Sequence, residues 1–284
     1  MLLSTTATET VAAWSSATTY SKDAEVNYNN SIYVSLQASN TNKVPTAEPA
    51  WWIRKSANNT YSMFDEFVNT QTIQASPLTV SLKPGVMFNS VAFFNLEQVK
   101  SLSIEVKDGV SGPVVYSKTF DLDDTIITDW YMYFFEPDDL RSEFVVTDIP
   151  PYLQGVLTCS FTGSSSVRVG NMVLGNVYKI GETQYGVSSG IRDYSSKDTN
   201  NFGITTFTQR AFSKSMDANI YINNSNLRFV QKILQDLRAV PSVWIGTDAQ
   251  GYEVLTVYGY YRDFNIEIPY PNNSFCRLEI EGLI

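Results

Sequence analysis

The side chains best suited to chemistry are carboxylates that gather in two short runs near the middle of the chain. The runs comprise Asp121, Asp123 and Asp124, then Glu136, Asp138 and Asp139. Paired carboxylates can cleave a glycosidic bond, one acting as the acid and the other as the base or nucleophile. Carboxylate oxygens also bind calcium, but no loop with the spacing of a calcium-binding loop is present. Because Asp and Pro are ordinary turn residues, we interpret both runs as acidic turns between strands.

Other reactive side chains are scarce. The chain has no histidine, the commonest general base near neutral pH and the commonest metal ligand. Its two cysteines, Cys159 and Cys276, each lie in an apolar strand pattern, which predicts two buried thiols. No zinc-ligand spacing occurs. We therefore expect no enzyme, no cofactor and no metal site.

The elements that position these groups are clearest near the C-terminus. Apolar residues at helical spacing predict one amphipathic helix: Leu227, Val230, Ile233, Leu234 and Leu237. Asn226 is the expected N-cap and Pro241 the residue that ends the helix. Alternation then predicts strands at 254–261, 264–268 and 276–281, with turns at 248–251 and 269–273. The result is a helix on an antiparallel meander, with residues 282–284 ordered.

This meander has large apolar groups on both faces, more than one helix covers. We predict an assembly interface formed by Tyr258, Tyr260, Phe264 and Tyr194. Coverage by the middle domain is the alternative. Residues 180–215, rich in Gly, Ser, Asn and Asp, predict a long loop with one or two strands at a subunit contact.

The middle of the chain, residues 61–179, predicts a β-sandwich, jelly-roll-like, of seven or eight strands. The strand-like runs are 78–82, 90–94, 102–106, 114–116, 130–135, 144–146, 156–159 and 167–169. A polar stretch, residues 56–60, predicts a linker before it.

Residues 1–56 are dense in aromatics and predict a small module with a hairpin turning at 29–31. Trp14 and Tyr28 are expected in its core. Sugar rings stack on aromatic faces, so the candidate carbohydrate-binding residues are Tyr20, Tyr33, Trp51 and Trp52. Adjacent residues of an extended chain face opposite sides, so one of the two tryptophans is expected inside and the other exposed or at an interface.

The aromatic order in this module is Trp14-x5-Tyr20, Val26-x-Tyr28, Ile32-Tyr33, Asn40-x4-Pro45 and Trp51-Trp52. It resembles the carbohydrate-binding modules of families 5 and 12, which bind chitin or cellulose. The resemblance implies a three-stranded miniature fold with aromatic rings for flat sugar faces. The usual glycines are absent, with Asp23-Ala-Glu25 and Asn29-Asn30 in their place.

Residues 165–284 resemble tail-tip proteins of long-tailed bacteriophages. The likeness lies in Gly170-Asn-Met-Val-Leu-Gly175, Tyr185-Gly186, Gly190-Ile-Arg-Asp-Tyr194, Gln209-Arg-Ala-Phe212, Val243-Trp-Ile-Gly246, Val257-Tyr-Gly-Tyr-Tyr-Arg-Asp-Phe264 and Cys276-Arg-Leu-Glu-Ile-Glu-Gly-Leu283. These motifs are turn glycines and aromatics. The resemblance implies a virion component in which sheets and loops of neighbouring copies build a ring.

Together these patterns predict a mainly β chain of three parts: a carbohydrate-binding-like module at 1–56, the sandwich at 61–179, and an assembly domain at 180–284. The expected function is a phage tail protein that displays a glycan-binding module for host attachment. The alternative is a polysaccharide hydrolase or depolymerase, secreted or virion-borne, with an appended binding module.

The expected partners are a host-surface glycan, other tail proteins and further copies of the chain, as a ring, trimer or hexamer. With 20 basic against 29 acidic residues, the net charge of −9 argues against nucleic-acid binding. The N-terminus lacks the basic region and apolar stretch of a signal peptide, and no run has the length of a membrane span. We expect synthesis in the host cytoplasm, a place in the virion tail, and no membrane insertion.

Overall fold

The computed structural model describes residues 1–135, 138–247 and 251–283. The chain is mainly β and divides into two compact units, Met1–Asn176 and Val177–Ile284. The predicted N-terminal module and sandwich therefore lie within one unit. Glu136 and most of the turn predicted at 248–251 lie outside the described residues, as does Ile284.

The N-terminal module is built on two small antiparallel sheets, and β3-β4-β6 is the predicted three-stranded one. The hairpin between β3 and β4 turns on Asn29 and Asn30, whose φ values of 47° and 62° suit asparagine. The strands of this region are β1 (Leu2–Thr5), β2 (Thr19–Tyr20), β3 (Glu25–Tyr28), β4 (Ser31–Ser35), β5 (Asn40–Thr41) and β6 (Trp52–Ala57).

The predicted linker at 56–60 is wrong, because this stretch is held in the fold. Ala57 ends β6 and Asn58 is buried. The Glu9 carboxylate accepts hydrogen bonds from the backbone amides of Asn59 (3.1 Å) and Thr60 (2.9 Å). These contacts replace the solvent that a flexible linker would need for its backbone groups.

The sandwich is confirmed as two antiparallel sheets. Besides β1, its strands are β7 (Thr72–Ala75), β8 (Leu78–Leu82), β9 (Ser90–Glu97), β10 (Ser101–Asp108), β11 (Val114–Asp121), β12 (Phe144–Val146), β13 (Gly155–Thr162) and β14 (Ser166–Gly175). One sheet has the order β1-β8-β13-β10-β11 and the other β12-β9-β14-β7. Their inward side chains form one core, in which the rings of Phe93 and Phe161 meet edge to face at 5.3 Å. Strand β1 thus belongs to the sandwich and not to the N-terminal module.

One strand prediction fails. Residues 130–135 form a helix, α1 (Trp130–Phe135), in the connection between β11 and β12. The Asp129 carboxylate accepts a hydrogen bond from the Met132 amide at 2.8 Å, which caps the first turn. Aromatic residues favour strands where a neighbouring strand gives them a surface to pack on. In the part of the chain that the structure describes, residues 130–135 pair with no strand.

The C-terminal unit carries a curved antiparallel sheet of order β15-β19-β22-β21-β20, with β16 also paired to β19. Strands β17 and β18 pair with each other as a separate hairpin. The strands are β15 (Glu182–Thr183), β16 (Ser188–Asp193), β17 (Ser196–Thr199), β18 (Thr205–Thr208), β19 (Phe212–Asn223), β20 (Ser242–Ile245), β21 (Thr256–Glu267) and β22 (Asn273–Gly282). The long loop predicted at 180–215 is therefore largely strand. Its Ser- and Thr-rich strands lack the apolar alternation that would reveal them.

The predicted amphipathic helix is confirmed as α2 (Leu227–Asp236). Val230 and Leu234 are fully buried against the sheet. Asn226 is the N-cap residue, as predicted, but it makes no side-chain capping bond. The Asn223 side chain accepts from the Ser225 amide instead, at 3.0 Å.

The helix has already ended before Pro241, since Ala239 is left-handed with φ 58°. In the ranges that the structure describes, no helix is long and apolar enough to cross a membrane. At the other end of the sheet, the Leu283 amide donates to the Tyr258 carbonyl at 2.9 Å, so the final described residue is ordered as predicted.

Candidate functional site

Three of the acidic side chains come together at a cleft on the sandwich. Its volume is about 670 Å³, and it lies where β10 begins and β11 ends. The lining residues are Lys100, Ser101, Thr119, Phe120, Asp121, Asp123, Thr125, Ile127 and Asp138. Lys100 Nζ lies 2.5 Å from Asp138 and 3.5 Å from Asp123. The hydrogen bond from Lys100 to Asp138 raises the pKa of the lysine, so the ammonium stays charged.

Two carboxylates of these acidic runs, Asp123 and Asp124, are held as anions. Hydrogen bonds from the Thr125 hydroxyl and amide lower the pKa of Asp123. Asp124 accepts from Arg141 Nε at 2.5 Å and Nη2 at 2.8 Å, which lowers its pKa as well. A glycosidase acid requires a raised carboxyl pKa, so these two groups suit structural ion pairs better than proton donation. Glu136 lies outside the described residues.

The Asp124–Arg141 pair gives a pH-dependent prediction. Its folded-state pKa is depressed, so its contribution is present above the unfolded pKa of about 4 and is lost as pH falls through the folded value. We expect Asp124→Asn to lower the free energy of unfolding by about 0–1 kcal/mol at pH 7, the range for exposed pairs. Urea titrations of both proteins should converge near pH 2. Glu66→Gln removes an exposed carboxylate of the same unit and is the control; equal effects of both variants at pH 7 would exclude a specific pair.

Metal binding has little support. Within residues 1–135, 138–247 and 251–283, no group of three His, Cys, Asp or Glu side chains is placed to hold a metal ion. Cys159 and Cys276 are both free and buried, as predicted. Burial raises the pKa of both thiols, that of Cys276 to about 11. These thiols are therefore protonated and inert at neutral pH.

Of the predicted carbohydrate-binding residues, Trp52 lies in the core of the N-terminal module instead. It is 2% exposed, and its indole Nε1 donates to the Lys43 carbonyl at 2.8 Å. The half-buried Tyr20 ring meets Trp52 edge to face at 5.3 Å, and its hydroxyl accepts from the Ser15 amide at 2.7 Å. A sugar needs an open ring face, so Trp52 is excluded as a stacking platform in this structure.

Trp51 and Tyr33 keep part of their rings accessible. Trp51 is half-buried, with Lys43 Nζ 5.5 Å from its ring centroid. Tyr33 is half-buried on β4, in register with Arg54 of β6. The predicted core pair Trp14 and Tyr28 makes an edge-to-face contact at 5.5 Å, with both rings half-buried. Trp51 and Tyr33 are therefore predicted carbohydrate-binding residues whose rings stay partly accessible.

The two-faced apolar meander is a wrong prediction, because β21 contains a register shift between Tyr261 and Asp263. Beyond the shift, Phe264 and Ile266 stand opposite Leu278 and Cys276 of β22 and pack on the buried core with Tyr261. Phe264 is therefore partly buried against the core, on the opposite face of the sheet from Tyr258 and Tyr260. The alternate positions Tyr258 and Tyr260 face the other side of the sheet and are half-buried.

Tyr194 lies on a charged patch beside this outer face. Its hydroxyl is 3.3 Å from Glu281, and Arg192 Nη1 is 2.7 Å from the same carboxylate. The hydrogen bond to Glu281 raises the pKa of Arg192. The outer face is thus polar, with tyrosines among ion pairs.

Large exposed apolar side chains also occur outside the predicted site residues. In the C-terminal unit, Phe202, Ile204 and Phe207 of the β17–β18 hairpin are 90%, 62% and 70% exposed. In the first unit, every residue of α1 is unburied. Large apolar residues within polar surroundings are the only sequence signal for either group.

No protein-family model matches this chain, and no curated protein matches it significantly. No function is therefore assigned to the chain from a relative.

Proposed function

We propose that this chain is a non-catalytic structural protein of a bacteriophage tail. In this proposal its C-terminal unit joins copies of the chain or docks on the tail, and its N-terminal module binds a host-surface glycan. The motif resemblance in residues 165–284 supports the assignment to a tail. The exposed groups of each unit support the two separate roles, assembly by the C-terminal unit and glycan binding by the N-terminal module.

The observation that carries the proposal is the assembly arm, which we define as residues 188–208. All six residues of β16 and all four of β18 are exposed. A two-stranded hairpin alone is marginally stable in water, and β17 and β18 pair only with each other. Exposed apolar residues on such a hairpin favour a packing partner.

The arm is nevertheless well formed, as a docking element should be. At its turn, the Asn200 side-chain oxygen accepts from the Phe202 and Ile204 amides, both at 3.0 Å. Gly203 supplies the left-handed position with φ 79°. A pre-shaped arm loses less conformational entropy on binding than a disordered loop would.

Its charge fits a contact with another copy of the same chain. Residues 188–208 carry Arg192 and Lys197 against Asp193 and Asp198, so the arm is neutral. The whole chain has a net charge of −9. A neutral arm avoids the repulsion that an acidic arm would meet on an acidic neighbour.

Glycan binding is supported by Trp51, whose ring is partly open beside the Lys43 ammonium. Against a role as the general acid of a glycosidase, hydrogen bonds from Thr125 and Arg141 lower the pKa values of Asp123 and Asp124.

The two units provide a direct experiment, because each has its own hydrophobic core. We expect a 177–284 fragment to self-associate in light scattering over a concentration series, since it carries the arm. We expect the 1–176 fragment to remain a monomer and to bind on a glycan array. The reverse behaviour would mean that the anchoring and display ends are exchanged.

A further inference from the structure

We propose that the sandwich contacts a zwitterionic lipid bilayer through an aromatic knob, defined as residues 126–135. The proposal does not rest on the tail assignment, and it departs from the expectation of no membrane insertion. Large apolar side chains fill this short segment, and each is more than half exposed: Ile126, Ile127, Trp130, Tyr131, Tyr133, Phe134 and Phe135.

The knob packs on itself rather than on the sandwich core. The rings of Trp130 and Phe134 stack at 6.3 Å with 20° between their planes. Tyr131 and Phe135 lie 5.1 Å apart, while Tyr133 meets Phe134 at 4.9 Å. With Asp129 capping the first turn, the segment is an ordered apolar protrusion.

The distribution of the rings distinguishes a membrane from a protein partner. Successive helical residues are rotated by about 100°, so the six residues of α1 point in every direction around its axis. A docked protein surface covers one stripe of such a helix and leaves the opposite rings in water. The headgroup and acyl boundary of a bilayer surrounds an inserted helix on all sides.

The residue types and the length also fit the bilayer interface. Tryptophan and tyrosine concentrate at this level, where the ring is in an apolar environment and the polar atom remains hydrated. A six-residue helix is about 9 Å long, close to the roughly 5–10 Å depth reached by interfacial segments. No membrane crossing is implied.

The charge of the knob and of the whole chain favours zwitterionic over anionic lipids. The knob includes Asp129 and is followed by Asp138 and Asp139, without a basic residue between 126 and 139. Anionic lipids would be repelled by these carboxylates and by the chain's net charge of −9. Zwitterionic headgroups avoid this repulsion, and their ammonium groups are attracted to exposed aromatic faces.

The test is flotation of the full-length protein with phosphatidylcholine vesicles, with or without added phosphatidylglycerol. We expect binding to phosphatidylcholine and weaker binding as the anionic lipid is added. Trp130→Ser with Phe134→Ser should lower the partition coefficient by about tenfold or more for each ring removed. Both side chains are more than half exposed, so the melting temperature should not change.

The matched control is Val86→Ser with Met87→Ser, which removes two exposed apolar side chains of the same unit and should leave flotation intact. Absence of wild-type flotation, or equal loss in both double variants, would overturn the proposal. So would a fall in the light-scattering mass of the Trp130/Phe134 variant without lipid, because that would make the knob a protein–protein contact.

Discussion

Replacing Trp52 by alanine is expected to destabilise the N-terminal module by about 3–5 kcal/mol, the range for a buried aromatic side chain truncated to alanine. Trp52 is 2% exposed, donates its indole hydrogen to Lys43, and packs on the Tyr20 ring. The change would leave a cavity and an unsatisfied carbonyl in a fold whose core is small. Urea unfolding followed by near-ultraviolet circular dichroism measures the loss.

The neighbouring Trp51→Ala variant is the matched control, since it removes the same side chain one position away. Its half-buried ring makes a smaller contribution to the fold, and we expect less than about 1.5 kcal/mol of destabilisation. Glycan affinity should instead fall by roughly threefold to more than tenfold, from the loss of one stacked ring. Unchanged glycan binding in Trp51→Ala would remove Trp51 from the site.

This pair of residues also shows how far sequence reasoning reaches. Alternation along an extended chain requires Trp51 and Trp52 to face opposite sides. Which of them lies inside depends on the strand that β6 pairs with, β4, whose residues lie up to 26 positions earlier in the chain. The sequence therefore predicts that one of these two rings is inside, while the choice between them needs the tertiary structure.

Elements with strong local periodicity were predictable. The α2 stripe and the turn of the β3–β4 hairpin follow from apolar spacing and from asparagine's tolerance of left-handed backbone. The capping bond and the C-terminal end of α2 were not, because Asn223 and not Asn226 accepts the bond at the start, and Ala239 is left-handed before Pro241 is reached. Such choices involve small energies that neighbouring contacts decide.

The larger errors in the predicted structure arise because a short stretch of sequence does not show which distant strands it will pair with or pack on. The composition of residues 130–135 predicts a strand, but in the structure this run pairs with no described strand and forms a capped helix. Likewise, a one-residue register shift in β21 moves Phe264 from the outer face to the core. A shift of one residue moves the side chains that follow it to the opposite face of the sheet, and the alternation of residues before the shift does not predict it.

The central claim is that the chain assembles through the exposed arm of its C-terminal unit. Its most direct test is the light-scattering mass of full-length protein and of Phe202→Ser with Phe207→Ser, measured over the same concentration range. Val86→Ser with Met87→Ser, which removes two exposed apolar side chains of the first unit, is the control.

We predict a wild-type mass that is a multiple of one chain. The arm variant loses two rings that the contact between copies would bury, each contributing about 1.5–3 kcal/mol to association. Its association should weaken by roughly 10²- to 10⁴-fold and give the monomer, whereas the control should still assemble. A wild-type protein that remains monomeric at every concentration, or an arm variant that assembles as the wild type does, would contradict the account.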